Sequence, residues 1–146
     1  LGLAQLVVSP RKLPRGAVLL DPFSGVALSP SDRETILSRG LTAVDCSWEK
    51  AEEAFVKVHK ECRLEGRTLP MMLAANPTKF GKWGELSTLE AIAASYYIIG
   101  EKELCERLLS IYTWGVRFIE TNLEPLEAYS QCATSEEVVR VQSEFY

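Results

Sequence analysis

Val44-Asp45-Cys46-Ser47-Trp48 places a carboxylate and a large aromatic ring between an apolar run and a helical pattern. A carboxylate at such a turn can cap the helix, accept a ligand hydroxyl, or act as a general base where its surroundings raise its pKa. Trp48 can serve as a core residue or as a stacking wall. Arg67-Thr68-Leu69-Pro70 and Ala74-Ala75-Asn76-Pro77 bracket an apolar stretch with prolines. Its exit through small residues lets a ligand come close to the backbone, while Asn76 ahead of Pro77 reads most simply as a turn former. Leu86-Ser87-Thr88-Leu89-Glu90-Ala91 opens a helix with hydroxyls and unpaired amide groups, which suit a carboxylate or phosphate. Ser87 with Glu90 also matches an ordinary capping box, and the two roles are compatible.

Familiar alternatives are missing from the chain. It holds no GxGxxG, GxxxxGK, HExxH or nucleophile-elbow pattern, so dinucleotide, nucleoside triphosphate, zinc-protease and serine-hydrolase chemistry has no sequence support. Cys46, Cys62, Cys105 and Cys132 form no CxxC pair and His59 is the only histidine, which points away from a metal site and toward plain thiols. No apolar run approaches the roughly 20 residues that span a bilayer, and no signal-peptide series opens the chain, so a cytosolic protein without membrane attachment is expected.

The net charge of −4 argues against a surface devoted to nucleic acid, but the charge is unevenly spread. Residues 1–86 carry 12 Lys and Arg against 10 Asp and Glu, whereas residues 87–146 carry 4 against 10, which assigns any RNA contact to the first part. Lys50, Arg67, Lys79 and Lys82 lie beside the motifs above, with Phe80 and Trp83 among them, and are the expected RNA contacts.

The elements that must position these groups follow from periodicity. Leu3 to Val8, Ala17 to Leu20, Leu41 to Val44 and Pro70 to Ala75 read as strands. A short helix runs from Ser29-Pro30-Ser31-Asp32 to Arg39, and another starts at Ser47 with Ala51, Ala54, Phe55 and Val58 on one face. From Ser87 the pattern becomes helical, with segments from Ser87 to Ile99, Glu101 to Leu109, Tyr112 to Asn122, and Ser135 to the end. The expected architecture is one compact α/β domain: a lobe over 1–86 with a mainly parallel sheet, whose strand carboxyl ends collect ligands, and a helical lobe over 87–146.

Taken in order, Leu19-Leu20-Asp21-Pro22, Ala43 to Trp48, Arg67 to Pro70, Ala74 to Pro77, Leu86 to Ala91 and Trp114-Gly115 resemble the 18S/16S ribosomal RNA aminocarboxypropyltransferase family. The resemblance runs from about Gly2 to Tyr129. It implies a SPOUT-like fold with a deep trefoil knot, S-adenosylmethionine as donor with no metal, and transfer of its 3-amino-3-carboxypropyl group to N3 of an N1-methylpseudouridine in small-subunit rRNA. The implied partner is that rRNA or a pre-ribosomal subunit, met by a monomer with no role for DNA.

Carried over residue by residue, Leu20, Pro22, Trp48, Leu69, Leu86 and Ala91 would sandwich the adenine. Backbone groups of Leu69 and Gly84 would read its edge, with Gly84 standing where the family commonly has tyrosine. The Val44 carbonyl would hold the ribose hydroxyls and the Thr88 amide the carboxylate. Trp48 and Ala51 would enclose the sulfonium methyl, and Asp45 would take the proton from the acceptor nitrogen. Two other readings use the same residues differently: a SPOUT-class RNA methyltransferase with the same donor, and a ribosome-assembly factor that binds rRNA without chemistry.

Overall fold

The computed structural model describes residues 12–44, 48–82 and 84–146, and of Trp48 only the backbone. The expected strand from Leu3 to Val8, the Ser47 cap and Asp45 therefore lie outside the described residues. Three short strands, β1 (Val18–Leu20), β2 (Leu41–Ala43) and β3 (Glu65–Arg67), form a parallel sheet in the order β2-β1-β3. Val18 lies opposite Leu41 and Glu65, and Leu20 opposite Ala43 and Arg67. The central strand is an uninterrupted apolar run because both its faces are covered.

Successive side chains leave a strand on opposite faces, and the core divides accordingly. Ala17 and Leu19 meet Ala51, Phe55 and Val58 of helix α2 (Ala51–Glu61), together with Leu64. Val18 joins the larger core on the other face, with Ile36 of α1 (Arg33–Arg39) and residues of α3 (Thr88–Ile98), α4 (Lys102–Leu109), α5 (Gly115–Ser130) and α6 (Ser135–Gln142). Close approach between α4 and α5 requires a glycine: a Cβ at Gly115 would stand 1.8 Å from the Leu109 carbonyl oxygen.

The SPOUT-like architecture with a deep trefoil knot, expected from the resemblance, is corrected by these observations. The described residues form a small α/β domain with a three-stranded parallel sheet and six α-helices. The apolar stretch from Pro70 to Ala75 does not extend the sheet. Its backbone is satisfied in part by side chains from the helical part: Leu73 donates to Asn122 Oδ1 at 2.7 Å, Asn122 Nδ2 donates to the Leu73 carbonyl at 2.8 Å, and the Tyr129 hydroxyl donates to the Met71 carbonyl at 2.9 Å. The loop that follows supplies backbone partners, with the Ala74 amide donating to the Lys82 carbonyl at 2.8 Å and the Gly84 amide to the Met72 carbonyl at 3.1 Å. A buried backbone needs partners but not a place in the sheet, and here distant side chains and the following loop supply them.

Two further elements differ from the periodicity. The third strand, β3, is polar and half exposed, so it carries no apolar signal. Helix α5 runs past Asn122 to Ser130 although Pro125 lies inside it, and non-helical backbone angles at Asn122 absorb the break. That break is where Asn122 reaches the Leu73 backbone.

Helices α3, α4 and α5 are tied by one exposed carboxylate. Tyr97 and Lys102 both donate to Glu127 Oε1, the ammonium at 2.8 Å, and Lys102 also stands 5.1 Å from the centre of the Tyr97 ring. The hydrogen bond from Lys102, then that from Tyr97, holds the Glu127 carboxyl below its ordinary value. A depressed carboxylate pKa adds stability that is present above the unfolded-state pKa and is lost as pH falls through the folded-state one. Urea unfolding should therefore show Glu127→Gln less stable than the parent at pH 7, with the two curves converging below about pH 4. A difference that persists at low pH would assign the effect to packing instead.

Candidate active site

A cavity of about 310 Å³ opens at the carboxyl ends of the strands, the edge where open parallel sheets gather ligands. Its volume is that of a small-molecule site. Leu20 ends β1 and Asp21 and Pro22 follow it, Ala43 ends β2 and Val44 follows it, and Thr68, Leu69, Pro70, Met71 and Met72 follow β3. Ala51 and Phe55 of α2 form another wall, and Gly84, Leu86, Ser87, Thr88 and Ala91 close the far side. Every residue expected to bind the donor whose side-chain position is described lies on this cavity: Leu20, Pro22, Val44, Ala51, Leu69, Gly84, Leu86, Thr88 and Ala91. The Trp48 backbone opens the 3-10 turn Trp48–Lys50 that leads into α2.

The far wall is set by a capping box. Ser87 Oγ accepts from the Glu90 amide at 3.2 Å, and Glu90 Oε1 accepts from the Ser87 amide at 2.9 Å. The Thr88 amide, at the first helical position, is one that a helix cannot satisfy internally, and it lies beside the cavity. The capping box expected at this helix start is thus formed, and it leaves the Thr88 amide beside the cavity.

Glu90 is fully buried and does more than cap. Its carboxylate also accepts from the Ala75 amide at 2.6 Å, the Asn76 amide at 3.2 Å and Asn76 Nδ2 at 2.6 Å. It therefore fastens the loop after β3 to the start of α3, and these two segments supply much of the cavity wall. Asn76 holds the following turn by accepting from the Lys79 amide at 3.0 Å.

Asp21 is a cavity residue to which sequence reasoning gave no role. It is buried where β1 ends, its Oδ1 accepts from the Phe23 amide at 2.8 Å, and its Oδ2 pairs with His59 Nε2 at 2.8 Å. The available signal was helical spacing: His59 lies one turn after Phe55 and two after Ala51, on the stripe of α2 that faces the sheet. The pair ties the Pro22 turn to α2, joining two walls of the cavity.

The expected RNA contacts divide. Lys50 and Lys82 are exposed. Lys79 pairs with Glu85 at 3.1 Å, and Arg67 donates to Asp32 at 2.9 Å and to the Gly66 carbonyl at 2.7 Å. Cys105 and Cys132 are buried, and burial, then the neighbouring Glu106, pushes the Cys105 thiol up to about 12, far from a reactive thiolate. Among the described residues no group of His, Cys, Asp and Glu side chains is placed to hold a metal, and no helix is long and apolar enough to cross a membrane.

Comparison with known proteins adds to this geometry. The family model described as "Ribosome biogenesis protein, C-terminal" matches residues 18–146. A protein of Methanopyrus kandleri named 16S rRNA aminocarboxypropyltransferase is 49% identical over 145 residues, covering 99% of this chain and 85% of that protein. One of the same name from Methanothermobacter thermautotrophicus is 46% identical over 144 residues, covering 99% and 84%. A solved structure described as the SAM-dependent rRNA:acp-transferase Tsr3 from Vulcanisaeta distributa superposes with a TM-score of 0.83 at 40% identity, covering 98% of this chain and 82% of that one.

Proposed function

The chain belongs to the 16S rRNA aminocarboxypropyltransferase family, and from that premise we infer that it moves the 3-amino-3-carboxypropyl group of S-adenosylmethionine onto small-subunit rRNA. The observation that carries this reading is the cavity at the strand ends, whose walls are the residues the donor would need.

In this reading Leu20, Pro22, Leu69, Leu86 and Ala91, with Trp48, hold the adenine, burying its apolar faces. Backbone groups of Leu69 and Gly84 read the adenine edge, and the Val44 carbonyl accepts from the ribose hydroxyls. The Thr88 amide, at the positive end of α3, takes the donor carboxylate. All three carbons on the sulfonium sulfur are electrophilic, and the methyl is the least hindered. Selection of the larger group is a matter of position, and Trp48 with Ala51 supplies it by walling off the methyl.

The acceptor is N3 of an N1-methylpseudouridine. Its lone pair forms the new C–N bond as the C–S bond breaks, the sulfur keeps that electron pair, and 5'-methylthioadenosine leaves uncharged at sulfur. Asp45 takes the proton from the acceptor nitrogen.

The test uses the full chain, a small-subunit rRNA fragment, and donor labelled either in the carboxyl or in the methyl carbon. Carboxyl label should enter the RNA and methyl label should not. The reverse pattern would make the chain a methyltransferase, and absence of donor binding by calorimetry would leave only an rRNA-binding role.

A further inference from the structure

A second concavity lies at the opposite edge of the sheet. It is open, has a volume of about 500 Å³, and is lined by Arg15, Arg39, Arg63 and Arg67 with Glu65 and Thr35. Arg15 comes shortly before β1, Arg39 shortly before β2 and Arg63 shortly before β3, so the parallel strands bring their amino ends, and these arginines, to one place. Arg67 joins them from β3, on the same face as Glu65 two residues earlier.

The arginines are held rather than merely near. The Gly16 amide donates to the Arg63 carbonyl at 2.6 Å, which fixes the chain before β1 against the chain before β3. Arg39 lies over Gly16: a Cβ at Gly16 would stand 2.8 Å from Arg39 Nη1. Arg39 Nη1 also donates to the Arg15 carbonyl at 3.4 Å, and Arg67 is anchored by the buried Asp32 at 2.9 Å.

Four arginines thus line the groove with one carboxylate, Glu65, while Asp32 pairs with Arg67 from outside the lining, on a chain whose net charge is −4. Such local cation excess is relieved by a polyanion, and the planar fork of arginine matches phosphate oxygens.

We propose that this arginine-lined groove docks the phosphate backbone of the RNA, away from the reacting atoms. The proposal rests on the transferase reading for the identity of the polyanion. A three-residue strand spans about 10 Å, so one RNA can reach the donor cavity at the carboxyl ends while its flanking phosphates lie in the groove. Contacts of this kind set affinity and register and leave the choice of nucleotide to the cavity. The arginines lie far apart in sequence and share no motif, so of the four the sequence pointed only to Arg67, beside lysines in the loops.

The experiment measures binding of a labelled small-subunit rRNA hairpin by fluorescence anisotropy across a sodium chloride series. The double variant Arg39→Gln, Arg63→Gln should bind at least about tenfold more weakly, with a log–log salt slope shallower by roughly 1.5, as expected for two lost phosphate contacts. Donor affinity by calorimetry and turnover at saturating RNA should stay at the parent values. Glu65→Lys, which adds a cation, should tighten RNA binding several-fold, and this gain cannot arise from misfolding. Unchanged affinity in Glu65→Lys, or unchanged affinity and slope in the double variant, overturns the groove. So does displacement of RNA by inorganic phosphate far more strongly than by chloride at equal ionic strength, which would mark a small-anion site. Loss of label transfer in the parent with intact groove-dependent RNA binding overturns the transferase reading alone.

Discussion

Replacing Glu90 with alanine should destabilise the protein by about 4 kcal/mol and abolish tight donor binding. The carboxylate is fully buried and accepts from the Ala75, Asn76 and Ser87 amides and from Asn76 Nδ2, all between 2.6 and 3.2 Å. Truncation strands four donors and leaves a void. Each stranded group costs about 1–3 kcal/mol, but the sum is not additive because the loop can shift and rehydrate some of them. Glu90→Gln keeps the volume and one acceptor oxygen yet turns an amide group toward donors, so about half the loss is expected. Urea unfolding gives the stability, and calorimetry with S-adenosylmethionine gives the affinity. A midpoint for Glu90→Ala equal to that of the parent would show that the loop after β3 does not depend on this carboxylate.

Ala51→Leu should leave the fold intact and reduce aminocarboxypropyl transfer at least about 100-fold. Ala51 is buried, begins α2 and lines the strand-end cavity beside Val44 and Phe55. Three added carbons have nowhere to go except into the space of about 310 Å³ proposed above for the donor. Overpacking of this kind costs about 1–3 kcal/mol of stability, which a domain of this size tolerates, whereas displacing a reacting group by about 1 Å costs about 100-fold in rate. Val56→Leu, on the exposed side of the same helix, is the control and should behave as the parent. The measurement is initial-rate transfer of carboxyl label to rRNA, with circular dichroism confirming the fold. Near-parental transfer by Ala51→Leu would remove Ala51 from the donor site.

These expectations depend on different kinds of information. Apolar runs found β1 and β2, and a capping box found the start of α3, because both signals come from residues within one turn or strand of each other. The position of the strand-end cavity was also accessible, since parallel strands leave their carboxyl ends free and the ordered motifs fall there. By contrast β3 has no apolar run, and the stretch from Pro70 to Ala75 has one without belonging to the sheet. Asn122, Tyr129 and Gln142 take the backbone of that stretch from 49 to 71 residues away, a distance over which local pattern carries nothing.

What the sequence by itself determined is the set of short-range facts: an α/β pattern, the helix starts, two strands, and the ordered residues that mark the family. Tertiary structure alone decided how many strands share the sheet, which carboxylate fastens the loop after β3 to α3, that Asp21 meets His59, and that four scattered arginines face one groove. The physical reason is range. Caps and periodic faces are settled by neighbours along the chain, whereas a buried polar group or a shared charge is settled by whichever distant segment packing brings within hydrogen-bond distance.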